Sequence, residues 1–158
     1  MTRTAIVTGA ARGLGAAICQ LAARQGYRLG VLDLRRDDCA ALIGTLPGSG
    51  HVALQADVTD ENAMRAAFDE FGVTPDVMVN NAGIVRFGSL LEQSVADFRA
   101  SVEVNLVGTY IGAREAGLRM VARGHGAIVN MTSLNAVTPG PGAGAYPAAK
   151  AGVAKLTE

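Results

Sequence analysis

The chain has 158 residues, of which 49% are hydrophobic and 18% charged. That is enough for one domain with a real core, and it argues against disorder. Fourteen basic residues balance 14 acidic ones, so charge gives no reason to expect nucleic acid or an anionic membrane as partner. No apolar run reaches the roughly 20 residues of a membrane helix, and the opening Met1-Thr2-Arg3 before a strand-like run is too short for a signal peptide. Cys19 and Cys39 are the two cysteines and stand apart. This argues against a metal site or a disulfide framework and fits a reducing cytoplasm.

Thr4 to Val7 reads as a first strand, followed by a helix from about Gly13 to Gln25 with Gly26 as its C-terminal cap. Arg28 to Leu32 reads as the second strand and about Arg36 to Leu46 as the second helix. Val52 to Leu54 and Glu61 to Phe71 repeat the pair, and Val77 to Val79 is the fourth strand. Ser94 opens a long helix reaching about Arg123, with Asp97 three residues on in a near capping box. Its apolar stripe is read as Phe98, Val102, Leu106, Thr109, Ala113, Ala116 and Met120. Ala127 to Met131 is a fifth strand, Gly140 to Gly144 a flexible loop, and a last helix starts near Ala145. This alternation predicts an α/β, Rossmann-like, doubly wound parallel sheet with helices on both faces, forming a single domain over residues 1–158. The last helix shows no stop signal, so the chain reads as one cut short.

Thr8-Gly9-Ala10-Ala11-Arg12-Gly13-Leu14-Gly15 follows a strand and opens a helix. Glycines there permit a tight turn and close approach of backbone to a pyrophosphate, and the helix N-terminus favours an anion. The alternative is a tight turn without ligand. Asp33, with Leu34, follows the second strand about 20 residues on, where a carboxylate can hold the hydroxyls of an adenosine ribose and repel a 2′-phosphate. Its alternative is pairing with Arg35 or Arg36, and those arginines with Arg12 are what a 2′-phosphate wants. NAD is therefore favoured over NADP.

Asp57 and Val58 after the third strand, Asn81, Ala82 and Gly83 after the fourth, and Ser133 after the fifth fall at the same sheet edge. Ligands bind there in open parallel sheets, although turn formation and helix capping also explain Asp57 and Asn81. Asn105 faces inward from the long helix and must be holding backbone or water, because a buried amide without partners costs roughly 1–3 kcal/mol. Tyr146 and Lys150 are four apart on a helix and share a face. A phenol is a poor base at neutral pH, and a neighbouring ammonium favours the phenolate. On spacing alone such a pair is most often surface.

Taken in this order, the glycine turn, Asn80-Asn81-Ala82-Gly83, Asn105, and Ser133 thirteen residues before Tyr146-x-x-x-Lys150 resemble the short-chain dehydrogenase/reductase family, of the compact kind near the oxoacyl-carrier-protein reductases and the sugar or polyol dehydrogenases. The resemblance covers essentially the whole chain. It implies an oxidoreductase passing hydride between nicotinamide C4 and a small alcohol or ketone. Tyr146 would be the general acid/base, Lys150 would tune it and hold the nicotinamide ribose, and Ser133 would orient the carbonyl. Asn105 would bind a water linking Lys150 to solvent. Asp57 and Val58 would flank the adenine, and Asn81 and Gly83 would line the cofactor cleft. His51, His125 and the thiols match no catalytic position, and the thiols read as packing residues.

Family members usually continue for two more strands, a helix and a substrate-covering loop. Their absence predicts an exposed fifth strand and keeps open a rival reading, a nucleotide-binding or interaction module without turnover. Phe87, Leu134, Asn135 and Pro139 to Ala143 are expected on the near side of a substrate pocket. The long helix and the last helix are the expected surfaces of a homo-oligomer.

Overall fold

A computed structural model describes residues 2–158. The elements, in chain order, are β1 (Thr4–Thr8), α1 (Gly13–Arg24), β2 (Arg28–Asp33), α2 (Arg36–Ile43), β3 (Val52–Gln55), α3 (Glu61–Phe71), β4 (Val77–Asn80), α4 (Val95–Val102), α5 (Gly108–Arg123), β5 (Ala127–Asn130) and α6 (Tyr146–Thr157). The strands form one parallel sheet in the order β3-β2-β1-β4-β5. This is the Rossmann-like arrangement expected from the sequence. Every position of β1 is buried, because helices cover both faces of a parallel sheet.

Alternate strand residues divide between two cores. Ile6, Leu32, Leu54 and Met78 pack with Met64, Phe68 and Phe71 of α3 and with Ile111 and Met120 of α5. Val7, Leu29, Val31 and Val79 pack with Cys19 and Ala23 of α1 and with Cys39 and Leu42 of α2. Burying such a side chain stabilises by about 1.5–3 kcal/mol. The two thiols are packing residues, as expected. Burial pushes Cys19 up to about 12 and Cys39 up to about 11, so neither supplies a thiolate at neutral pH.

The helix ends follow from sequence. Gly26 sits at φ +82°, its N–H donates to the Ala23 carbonyl and that of Tyr27 to Ala22, which closes α1 in a Schellman turn. The Asp60 side chain accepts from Asn62 and Ala63 and starts α3. Ser94 caps α4 and accepts from Asp97.

Three expectations change. α2 stops at Ile43 rather than Leu46, because Gly44 and Thr45 turn the chain and the Thr45 hydroxyl donates to the Leu42 carbonyl. Leu46 stays buried through that turn, which is why the apolar period ran on. The long helix is continuous but not uniformly α: Glu103–Val107 forms a π turn in which the Gly108 N–H reaches back to the Glu103 carbonyl. Its inward face is Ser101, Asn105, Thr109, Gly112 and Ala116, while Phe98 is half exposed. Small residues occupy that face because the helix lies almost on the sheet. A Cβ at Gly112 would run into the Asn80 amide oxygen.

Among the described residues β5 pairs only with β4, and its side chains alternate between exposed and half-buried.

Candidate active site

All five strands point their carboxyl ends to one edge, and the turns beyond β1, β2, β3 and β4 form a cleft of about 360 Å³. Gly9, Arg12, Leu14, Asp33, Leu34, Asp57, Val58, Asn81, Ala82 and Gly83 line it. Gly13 and Gly15 do not. Gly13 supplies a positive φ of +57° with open space around it. Gly15 supplies closeness: a Cβ there would run into the Gly9 carbonyl and lie 2.8 Å from the Ala10 Cα. No side chain caps α1 and its first turn carries no acid, which leaves its first amides without a side-chain partner.

The Asp33 carboxylate is held by backbone rather than by arginine. One oxygen accepts from the Ala11 N–H at 3.0 Å and the other from Leu34 at 2.8 Å. Arg35 instead pairs with Asp38 at 2.6 Å. Arg36 grips Glu70 through two nitrogens at 2.6 and 2.8 Å and reaches the Ala53 carbonyl. Two of the three arginines that spoke for a 2′-phosphate are thus engaged elsewhere, and Arg12 remains exposed at the cleft.

Asp57 closes its own turn, accepting from the Thr59 N–H at 2.9 Å and from its hydroxyl at 2.7 Å. Asn81 is a clamp as well as a lining residue. Its amide donates to the Thr8 and Gly9 carbonyls at 2.9 and 3.0 Å, and the Thr8 hydroxyl accepts from the N–H groups of Asn81 and Ala82 at 3.1 Å each. The turn-forming readings of both residues are correct alongside their place in the cleft. The sequence reading missed Leu32, Ala56, Ile84 and Val104 in the cleft wall. Each is the chain neighbour of a residue it singled out, and adjacency was the available signal.

Asn105 is fully buried in the π turn. Its amide forms a reciprocal pair with Ile84, accepting from the N–H at 3.2 Å and donating to the carbonyl at 2.8 Å, and it also donates to the Ser101 carbonyl at 2.8 Å. Backbone groups thus satisfy its buried amide. A Cβ on Gly83 would lie 2.6 Å from the Asn105 amide oxygen and 3.7 Å from the Lys150 Nζ, so the missing side chain keeps open the space between the two.

Lys150 is only 4% exposed. Its Nζ donates to the Met131 carbonyl at 2.7 Å and lies 5.7 Å from the centre of the Tyr146 ring. Burial pulls its pKa below the ordinary 10.5. The pair that spacing alone would leave on the surface is thus a half-buried ring beside a buried ammonium. Ser133 follows β5 and accepts from the Asn135 N–H at 3.2 Å, which leaves its hydroxyl proton to donate. It caps the short 3-10 turn Leu134–Ala136, which packs against α6. His51 accepts from the Leu29 N–H at 3.1 Å, far from this chemistry.

An open parallel sheet with a glycine turn and a polar carboxyl edge is a nucleotide-binding Rossmann fold. The chain belongs to the short chain dehydrogenase family, whose profile matches residues 3–158. It is 38% identical to a D-threitol dehydrogenase of Mycolicibacterium smegmatis over 99% of this chain and 62% of that one. It is 42% identical to a cis-4-hydroxycyclohexanecarboxylate dehydrogenase of Sinomonas cyclohexanicum over 98% of this chain and 64% of the other. A crystal structure from Agrobacterium tumefaciens, provisionally described as a gluconate dehydrogenase, superposes with a TM-score of 0.92 at 36% identity, covering 98% of this chain and 63% of that one. The chain therefore spans less than two thirds of the length of these relatives. Among the described residues no helix is long and apolar enough to cross a membrane.

Proposed function

We propose that the protein is an NAD(H)-dependent oxidoreductase that interconverts a small alcohol and the corresponding ketone. The observation that carries this reading is the buried Lys150 ammonium beside Tyr146, at the same sheet edge as the glycine-turn cleft. The residues fit a dinucleotide. The uncapped start of α1 suits a pyrophosphate, and Gly15 lets that helix close tightly on the turn after β1. Asp33 lies where an adenosine ribose would present its hydroxyls, and its charge disfavours a 2′-phosphate. With Arg35 and Arg36 tied to Asp38 and Glu70, NAD is the better match. A bound nicotinamide supplies or accepts the hydride at its C4.

The chain's own residues do the rest. The Ser133 hydroxyl donates to the carbonyl oxygen and orients it. The Tyr146 phenol gives that oxygen its proton on reduction and removes it on oxidation. Lys150 sets a buried positive charge beside that ring, its Nζ 5.7 Å from the ring centre. Asn105 fixes Ile84 and with it the wall behind Gly83.

One experiment tests both halves: NADH and NADPH oxidation by the purified protein with a panel of ketones, beside calorimetry of each nucleotide. Tyr146→Phe is expected to lower turnover about 10²-fold or more with NAD affinity retained. Full activity in that variant sinks the mechanism, and NADP binding equal to NAD overturns the role of Asp33.

A further inference from the structure

Two segments that reach past the sheet edge on the side of Tyr146 are stitched together by one side chain. Gln93, half-buried, directly precedes the Ser94 cap of α4. Its Nε2 donates to the Arg86 carbonyl at 3.1 Å, within its own loop, and its Oε1 accepts from the Ala145 N–H at 2.8 Å. Ala145 is the residue from which α6 starts, and Tyr146 is the first residue of that helix. The start of α6 has no side-chain cap of its own, and Pro147 brings no N–H. The amide of Ala145 would otherwise be an orphan donor, on a residue only 1% exposed.

The surroundings are shaped around this contact. Gly144 adopts φ +59°, and a Cβ there would lie 2.6 Å from both terminal atoms of Gln93. A second stitch lies alongside, where the Gly88 N–H donates to the Gly142 carbonyl at 2.9 Å and Gly88 bridges Ala143 in parallel. The segment of residues 84–93 and the segment of residues 140–145 are therefore joined by main chain at one point and by Gln93 at the other.

We infer that Gln93 is a positioning residue for Tyr146: its carbonyl oxygen anchors the first turn of α6 and so sets where the phenol stands relative to Lys150 and Ser133. This rests on the reading of Tyr146 as proton donor. Gln93 does not line the nucleotide cleft and holds only the first turn of α6, a full turn ahead of Lys150, so its effect falls on turnover far more than on cofactor affinity. A side chain that merely stabilises the fold lacks this split.

The test uses Gln93→Met, which keeps length and loses both bonds, and Gln93→Glu, which keeps the acceptor. Amide hydrogen exchange over residues 140–150, NAD affinity and kcat are measured on the same preparations. Gln93→Met is expected to speed exchange at Ala145 by about fivefold to tenfold, the worth of one hydrogen bond. It should lower kcat about tenfold or more with NAD affinity within about twofold, and Gln93→Glu should recover most of both losses. Unchanged exchange at Ala145, or a kcat that falls only in step with NAD affinity, overturns the inference. If the native protein turns over no ketone, the oxidoreductase reading has failed, and the exchange at Ala145 alone decides whether Gln93 anchors the first turn of α6. If Gln93→Met does not fold, Gln93→Glu decides: native-like exchange and kcat support the acceptor role, and about tenfold changes in both refute it.

Discussion

At the amino-terminal ends of β1 and β4, Asp76 accepts from the Thr4 N–H at 2.7 Å and from its hydroxyl at 3.0 Å, and Arg123 comes within 3.2 Å of the same carboxylate. Arg123 also donates to the Thr74 and Pro75 carbonyls at 2.7 and 2.9 Å. At the carboxyl-terminal ends of those strands the finish is different. α1 starts without a cap, the Asn80 amide oxygen is buried without a partner, and the Lys150 ammonium has a carbonyl for a neighbour where a carboxylate would serve stability better. One end of the sheet satisfies its polar groups internally, and the other leaves several of them short of protein partners. Local rules of stability are broken where function is expected and kept where it is not.

The sharpest way to break the contrast is to add one methyl at the open end. Gly15→Ala puts its Cβ against backbone, the Gly9 carbonyl and Ala10, and backbone cannot swing aside as a long side chain can. We expect a loss of about 3 kcal/mol in denaturant melts, the upper range for overpacking, and nucleotide binding weakened by about tenfold or more. Native stability and affinity in that variant would mean that the turn is slack and the ends do not differ as argued.

Next in size is the closed end. Asp76→Ala removes two bonds to a charged acceptor and strands Arg123, for an expected cost of about 2 kcal/mol at neutral pH. The effect carries a pH signature. Burial alone would raise the Asp76 pKa, but the bonds from Thr4 outweigh it with help from Arg123 and His125, and the pKa lies below the ordinary 3.8. A carboxylate held low in the fold contributes stability above the unfolded value and loses it as pH falls through the folded one. The gap between native and variant should therefore close in acid below about pH 4, read by thermal melts across pH. A gap independent of pH would show that the clamp is not electrostatic.

Both ends were unequally legible in the sequence. The open end announces itself, because glycines at Gly9, Gly13 and Gly15, the strand-end Asp33 and the spacing of Tyr146 and Lys150 are local patterns. The closed end does not, since the Thr4–Asp76–Arg123 contact joins residues that only the parallel register brings together. Within the site, the inward turn of Asn105 was readable from the helical period, whereas its reciprocal bond to Ile84 and the π turn were not. The stripe held at Thr109, Ala116 and Met120, which are buried, and failed at Phe98, because the period marks apolar side chains and this helix also buries small ones to approach β4. Gln93 carried no signal either. Its role depends on a loop-to-loop contact with Ala145, which no short-range rule encodes.

The smallest expected effect runs in the opposite direction and tests the comparison most directly. Lys150 is nearly enclosed, and burial alone lowers its pKa, so its charge costs stability. Desolvating an ammonium costs several kcal/mol, against about 1.5–3 kcal/mol returned by one charged hydrogen bond to Met131. Lys150→Met keeps the volume and removes the charge, and we expect a gain of about 1 kcal/mol at neutral pH, or roughly 2–4 °C in Tm, together with loss of the proposed turnover. The sign follows from linkage: the unfolded chain binds the proton more readily than the folded one, so native stability rises as pH climbs through the folded pKa toward 10.5. The advantage of the variant should accordingly shrink in alkali. A variant less stable than native at pH 7 would instead place Lys150 among the groups that hold this end together, and the open edge would then be no less self-sufficient than the closed one.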